Sequence, residues 1–107
     1  MPLNTVSIYD LHSKLAAVQT RVQCAVIRIS EYHALPESDP KRQTRIRLAY
    51  IVLDHHQATA RVLIRKIKEV EIAEAEQRAA VAQSPAVRAA LEAEIEHLHR
   101  ALALIAD

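Results

Sequence analysis

The sequence predicts an all-α protein: a three-helix, antiparallel, coiled-coil-like bundle with a long central helix. Half of its 107 residues are apolar, mainly Ala, Leu, Ile and Val, while Gly, Phe and Trp are absent. This composition favours closely packed helices and lacks the glycines on which many tight turns of strand-rich folds depend. Only two proline-marked segments interrupt the helical pattern. We therefore expect a single domain, 1–107, with helices at about 7–34, 40–82 and 85–106.

The first predicted helix has apolar residues at alternating spacings of three and four. Ser7 can cap its start, and Asp10 follows in the first turn, where a carboxylate faces the positive end of the helix. A seven-residue repeat sustained in this way is typical of a coiled-coil seam. The seam residues are Ile8, Leu11, Leu15, Val18, Val22, Ala25, Ile29 and Tyr32.

The second predicted helix follows the segment ALPESDPK. Pro36 ends the first helix, and Ser38 or Asp39 can cap the second, with Pro40 in its first turn. No Pro or Gly occurs between Pro40 and Gln83, so this helix would be roughly 63 Å long. Its seam comprises Ile46, Ala49, Leu53, His56, Ala60, Leu63, Ile67 and Val70.

The third predicted helix begins in AQSPAV, where Ser84 can cap and Pro85 suits the first helical position. Its seam comprises Leu91, Ile95, Leu98, Leu102 and Ile105. The two shorter helices should fold back along the second from opposite ends and overlap only around residues 62–70. Elsewhere the second helix would have one intramolecular neighbour, so its ends should need a partner. The expected core comprises Leu53, Leu63, Ile67, Val70, Leu91 and Leu98.

The charge changes sign within the second helix, between Lys68 and Glu69. Residues 41–68 hold eight basic and one acidic side chain, whereas residues 69–107 hold three basic and eight acidic. Two antiparallel copies would place each basic segment beside an acidic one, so charge would select the direction while apolar seams supplied affinity. Alternatively, both stretches are solvated faces with weak local pairs. The candidate interface residues are Leu53, Arg61, Arg65, Lys66, Lys68, Glu69, Glu71, Glu74 and Glu76.

A nucleic-acid partner is an alternative because of the segment KRQTRIR. It places Lys41, Arg42, Arg45 and Arg47 near the positive end of the second helix, where phosphates could bind. However, aromatic residues are not interleaved with these cations, the net charge is only +1, and no helix-turn-helix spacing is visible. The sequence therefore does not favour nucleic-acid binding.

Six histidines make metal binding a second alternative. Glu94 and His97 have the E-x-x-H spacing of di-iron carboxylate bundles, and so do Glu96 and His99. Both pairs lie on one helix and are offset by two residues, so they face nearly opposite directions. A site that combines Glu94 and His97 with Glu71 and Glu74 is conceivable, but a surface cluster is simpler. We therefore predict no metal and no cofactor.

The segment DHHQ sets Asp54, His55 and His56 about 100° apart around the helix, so the three cannot converge on one point. The surrounding RIRLAYIVLDHHQATARVL, residues 45–63, resembles the second helix of small ferritin-like bacterial proteins in its apolar spacing and central His. This resemblance implies a metal-binding ferritin-like bundle. The acidic ligands are absent here, so no function is carried across.

No motif predicts catalysis. Cys24 lies in mid-helix without a His or acidic neighbour in sequence, and no serine has a nucleophile-elbow context. The single cysteine fits a reducing compartment. The N-terminus lacks the features of a secretory signal, and no run approaches the roughly 20 apolar residues of a membrane span. We expect a non-enzymatic, cytoplasmic, non-membrane protein that acts as a homo-oligomer or as an adaptor for another helical protein.

Overall fold

A computed structural model describes residues 7–105. They form three helices: α1 (Ile8–His33), α2 (Arg42–Val81) and α3 (Pro85–Leu104). No strand occurs within this range. The predicted all-α, three-helix arrangement is confirmed, and the helices begin and end within two residues of the predicted positions. Residue 106, the predicted end of the third helix, lies outside the described residues.

Two of the helices begin at the predicted serine caps. The Ser7 hydroxyl accepts a hydrogen bond from the Tyr9 N–H at 3.1 Å. The Ser84 hydroxyl accepts one from the Val87 N–H at 3.4 Å, and Pro85 occupies the first turn of α3. In each case a side-chain oxygen satisfies a backbone donor that has no partner within the helix.

The predicted cap of α2 by Ser38 or Asp39 is wrong. The N-cap is Lys41, and its side chain forms no capping hydrogen bond. The Asp39 carboxylate instead accepts a hydrogen bond from the Lys41 N–H at 2.8 Å, while the Asp39 N–H donates to the Pro36 carbonyl at 3.0 Å. Asp39 thus stabilises a turn ahead of the helix, and α2 begins after Pro40 rather than with it.

The second helix is unbroken, as predicted. α2 has 40 residues and is therefore about 60 Å long. α1 and α3 each pack against α2, and within residues 7–105 they do not pack against each other. The molecule measures 70 × 30 × 18 Å and has a radius of gyration of 20.2 Å, whereas a compact domain of this length would have about 13 Å. The result is a thin, elongated layer of helices.

α1 runs back along the first half of α2. Near the connection, the Arg42 guanidinium donates a hydrogen bond to the His33 carbonyl at the end of α1. At the other end, Leu11 lies beside Leu63 and Val70. α1 therefore reaches the middle of α2 but covers only one side of it.

α3 runs back along the second half of α2. After the last turn of α3, the carbonyl of Ile105 accepts a hydrogen bond from Arg65 at 2.9 Å. The ends of α1 and α3 therefore both approach the middle of α2, where the sequence predicts their overlap. The detailed coiled-coil register of these pairs stays a prediction.

The core follows the two helix contacts as a thin line of side chains. Ile67 and Leu98, both predicted core residues, are buried. The other four predicted core residues are only half-buried, because a helix pair covers each side chain from one side. They are Leu53, Leu63, Val70 and Leu91. The buried apolar residues are Leu11, Val18, Ala25, Ile29, Ile46, Ala49, Ile67, Ile72, Ala75 and Leu98.

Two core residues on the second half of α2 were not predicted. Ile72 and Ala75 are buried, with 6% and 3% of their surface exposed. Ile72 lies about 140° around the helix from Ile67, and therefore outside the seam that faces α1. Both residues belong to the half of α2 that α3 covers, so α2 changes its buried face where its neighbour changes.

Arginines provide hydrogen bonds at the helix C-termini. No described residue has a positive φ, so no helix ends in the left-handed turn that a glycine commonly provides. At the end of α1, Arg42 donates one hydrogen bond to the His33 carbonyl and another to the Leu35 carbonyl, both at 3.1 Å. A cation placed here also faces the negative end of the α1 dipole.

The other two helix ends have similar contacts. Arg88, on the first turn of α3, donates to the Ala82 carbonyl at 2.8 Å, just after α2 ends. Arg65, on α2, donates to the Ile105 carbonyl just after α3 ends. Each arginine belongs to a different helix from the one that it caps. These contacts therefore hold neighbouring helices together as well as satisfying carbonyl groups.

We expect Ile67→Ala to lower the free energy of unfolding by about 2–5 kcal/mol, because it leaves a cavity at a buried position. The control is Ile27→Ala, which deletes the same atoms from a side chain that is 58% exposed. It should lower the free energy of unfolding by less than about 1 kcal/mol. Urea denaturation followed by circular dichroism measures both. Equal losses would contradict the assignment of the core.

We expect Arg42→Ala to lower the free energy of unfolding by about 1–2 kcal/mol, because two carbonyl groups lose a charged donor. Arg47→Ala, at an exposed position on the same helix, is the control and should change stability by less than about 0.5 kcal/mol. Thermal and urea denaturation of the two variants compares them. A loss at position 42 no greater than that at position 47 would refute the capping role.

Candidate assembly surface

The structure leaves most of the predicted interface residues exposed on α2. Leu53 is half-buried in the seam between α1 and α2. The exposed members carry both signs of charge and lie around the middle and second half of the helix. They are Arg61, Lys66, Glu69, Glu74 and Glu76. These side chains are accessible to a partner, and their interface role stays a prediction.

Three predicted interface residues already have contacts within the chain. Lys68 and Glu71 form an ion pair at 3.6 Å, with about a third of each side chain exposed. A pair this exposed contributes roughly 0.3–0.5 kcal/mol. Arg65 donates to the Ile105 carbonyl. These three residues therefore stabilise the folded chain itself, and any role in orienting a partner is additional.

The basic start of α2 is divided between different contacts. Arg42 is directed towards the carbonyls at the end of α1, while Arg45 lines a groove beside α1. The Asp39 carboxylate accepts the Lys41 N–H, so an acidic group already lies at the positive end of this helix. The four cations of the nucleic-acid alternative are therefore not all directed outwards from one helix end.

The four side chains of the alternative metal site do not come together in the described part of the chain. Within residues 7–105, no group of three or more His, Cys, Asp or Glu side chains is placed to hold a metal ion. Glu94 and His97 are exposed on α3. Glu71 pairs with Lys68, and Glu74 does not join it in a ligand group with the α3 residues.

Large apolar side chains remain exposed along the first half of α2 and at its middle. Leu48, Val52 and Val62 are each about half exposed, and Ile51 is 58% exposed. Leu48, Val52 and Val62 fall within about 80° of one another around the helix, beside the seam that faces α1. They form a second apolar stripe. No helix among the described residues covers it.

A groove of about 350 Å³ lies between α1 and α2 along part of this stripe. From α1, the groove is lined by Arg21, Cys24, Arg28 and Tyr32. These positions follow one face of the helix at spacings of three and four. The Cys24 thiol is free and exposed.

The opposite wall of the groove comes from α2. It comprises Arg45, Leu48, Val52 and His56. His56 is half-buried, and its ring lies 5.5 Å from the ring of His55, centroid to centroid. Together the two walls form an apolar surface bordered by three guanidinium groups, and none of the lining residues is acidic.

The sequence contains only part of the signal for this groove. Leu48, Val52 and Val62 repeat at helical spacings, but they adjoin the main seam, so the pattern resembles one broad apolar face. Cys24 and Arg28 belong to α1, and their proximity to α2 depends on how the two helices are rotated about their axes. That rotation is a property of the folded chain.

Comparisons of the chain with protein-family models, curated proteins and solved structures find no match. Among the described residues, no helix combines the length and the apolar character needed to cross a membrane.

We expect the Cys24 thiol of the dilute protein to react with a disulfide reagent within about tenfold of the rate for the unfolded chain, because it is exposed and exposure governs thiol access. The matched control is the variant Cys24→Ser/Val18→Cys, whose only thiol lies at a buried position of α1. The thiol introduced at position 18 should react much more slowly than that of Cys24. Absorbance of the released thiolate gives both rates. Equal protection of the two thiols would contradict the open groove.

Proposed function

We propose that this chain is a non-enzymatic assembly protein that packs its helices against those of a second copy or of another helical protein. One observation carries the proposal: α2 is 40 residues long, and each half of it has a single intramolecular neighbour. As a result, Leu48, Ile51, Val52 and Val62 stay exposed. Burial of apolar surface contributes roughly 25 cal/mol per Å², so a helical partner would stabilise this face.

The distribution of charge supports a second copy as the partner. Arg61 and Lys66 are exposed on the basic part of α2, and Glu69, Glu74 and Glu76 on the acidic part. Antiparallel association would place opposite charges beside each other, whereas parallel association would place like charges together. Charge thereby selects the direction of pairing, while the apolar side chains supply most of the affinity.

The shape of the molecule also favours lateral association. The layer is only 18 Å thick in its smallest dimension, which is less than the width of two helices with their side chains. Two such layers packed face to face would approach the cross-section of a four-helix bundle, in which each helix has neighbours on two sides. The single cysteine, Cys24, is compatible with a reducing compartment such as the cytoplasm, which we propose as the location.

We expect light scattering to give a molar mass above the 12.0 kDa of one chain at micromolar concentration. The mass should approach an integer multiple of the chain mass as concentration rises, because association follows mass action. Raising the salt from about 50 to 500 mM should weaken association without abolishing it, since salt screens the charges but not the apolar contacts. A mass of one chain at every concentration and salt would refute self-association.

A further inference from the structure

We propose that the groove between α1 and α2 binds the acidic third helix of a second copy. This pairing rests on the self-association proposed above and names the two surfaces that meet. Three features support it: the chain's own helices leave the groove uncovered, its border is cationic, and α3 presents an exposed acidic face. The register of two antiparallel copies brings these surfaces together.

The groove is out of reach of the chain's own third helix. α3 ends near Arg65, beside the Ile105 carbonyl. Val52, in the middle of the groove, lies 13 residues closer to the start of α2, which corresponds to about 20 Å along the helix. The α2 wall extends from Arg45 to His56, or about 17 Å. That length corresponds to three helical turns of a partner.

The border of the groove selects for negative charge. Arg21, Arg28 and Arg45 line it without an accompanying Asp or Glu. None of the three forms an ion pair within residues 7–105. The apolar side chains of Leu48 and Val52 line the same groove. A helix that carries small apolar residues flanked by carboxylates fits such a surface in both shape and charge.

α3 has these properties. It packs against α2 alone, so much of its circumference is exposed. Val87, Ala90 and Glu94 follow one exposed face at spacings of three and four, and Ala93 adjoins them. Alanines permit close approach of another helix. Neither Glu92 nor Glu94 forms an ion pair among the described residues, so both carboxylates can pair with the arginines of a second copy.

The acidic part of α2 fits the groove less well because cations of its own chain lie close to it. Glu69 lies in a cavity that Lys14 and Lys66 also line, beside the first turns of α1. Glu71 pairs with Lys68. On α3, Glu96 pairs with Arg100, but Glu92 and Glu94 form no ion pair among the described residues. α3 is therefore the better occupant.

The register of an antiparallel pair agrees with this choice. A two-fold axis through the middle of α2, near residue 61, would place residues 45–56 of one copy beside about 67–78 of the other. Because α3 turns back after Ser84, its residues at about 88–99 lie level with that stretch of α2. Glu92 and Glu94 lie on opposite sides of the exposed Ala93, about 100° from it in each direction, so they border the groove from two sides when Ala93 is directed into it. Both grooves are filled at once, which gives a closed, isologous dimer.

A charge exchange tests this pairing. The groove variant is Arg28→Glu/Arg45→Glu, and the helix variant is Glu92→Arg/Glu94→Arg. Each alone should dimerise at least about tenfold more weakly than the original chain, because like charges then meet in both grooves. An equimolar mixture should recover the dimer, since each groove of the mixed pair again faces a helix of opposite charge. Sedimentation equilibrium measures the masses, and circular dichroism checks that each variant is helical.

A matched control and an internal reporter accompany this experiment. Lys41→Glu/Arg47→Glu makes the same change of net charge at the N-cap and in the second turn of α2. Both positions are exposed and do not line the groove, so this variant should dimerise within about threefold of the original chain. Cys24 lines the groove, so its reaction with a bulky maleimide should slow at least about fivefold in the dimer. The groove variant alone should keep the fast rate.

The possible results separate this pairing from the broader function. Suppose that the original chain dimerises. If the groove variant and the helix variant each dimerise as strongly as the original chain, the groove pairing is overturned and self-association stands. The same conclusion follows if the two variants are both helical but fail to associate when mixed. An unchanged Cys24 rate in a proven dimer also overturns the pairing. If the original chain is monomeric throughout, the proposed self-association falls, and the pairing falls with it.

Discussion

The continuous α2 helix limits how much apolar surface the chain can bury by itself. Its 40 residues exceed the length of either neighbour, and α1 and α3 return along it from opposite ends on different faces. A side chain on α2 therefore meets one other helix, and the core contains no completely buried large residue among those described. The same constraint leaves Leu48 and Val52 exposed beside a cationic groove. The thin core and the exposed apolar stripe of α2 thus have one structural origin.

The sequence was sufficient for the features that depend on local pattern. The α1 seam from Ile8 to Tyr32 is buried or half-buried throughout, because a seven-residue repeat fixes one face of a helix. The Ser84 cap was equally predictable, since a serine before Pro85 satisfies a local backbone donor. The burial of Ile72 was not, because the face of α2 that meets α3 depends on the direction in which the chain leaves the turn.

The arginine contacts and the groove lay beyond sequence reasoning for the same reason. Arg65 and Ile105 are 40 residues apart, and no local pattern pairs them. Arg42 belonged to a basic cluster that suggested phosphate binding, yet its guanidinium caps α1. The groove combines Cys24 of α1 with Val52 of α2, and it requires knowledge of both helix rotations. The charged residues can be counted from the sequence, but the fold determines which groups they contact.

Electron–electron double resonance across α2 tests the account most directly. Spin labels at Gln43→Cys and Gln77→Cys, in a Cys24→Ser background and diluted with unlabelled chain, mark two exposed positions separated by 34 residues of helix. A continuous helix predicts one narrow distance distribution centred near 50 Å, from about 1.5 Å per residue. A main population below about 30 Å would mean that α2 bends back on itself, and would contradict the single-neighbour geometry that exposes the groove.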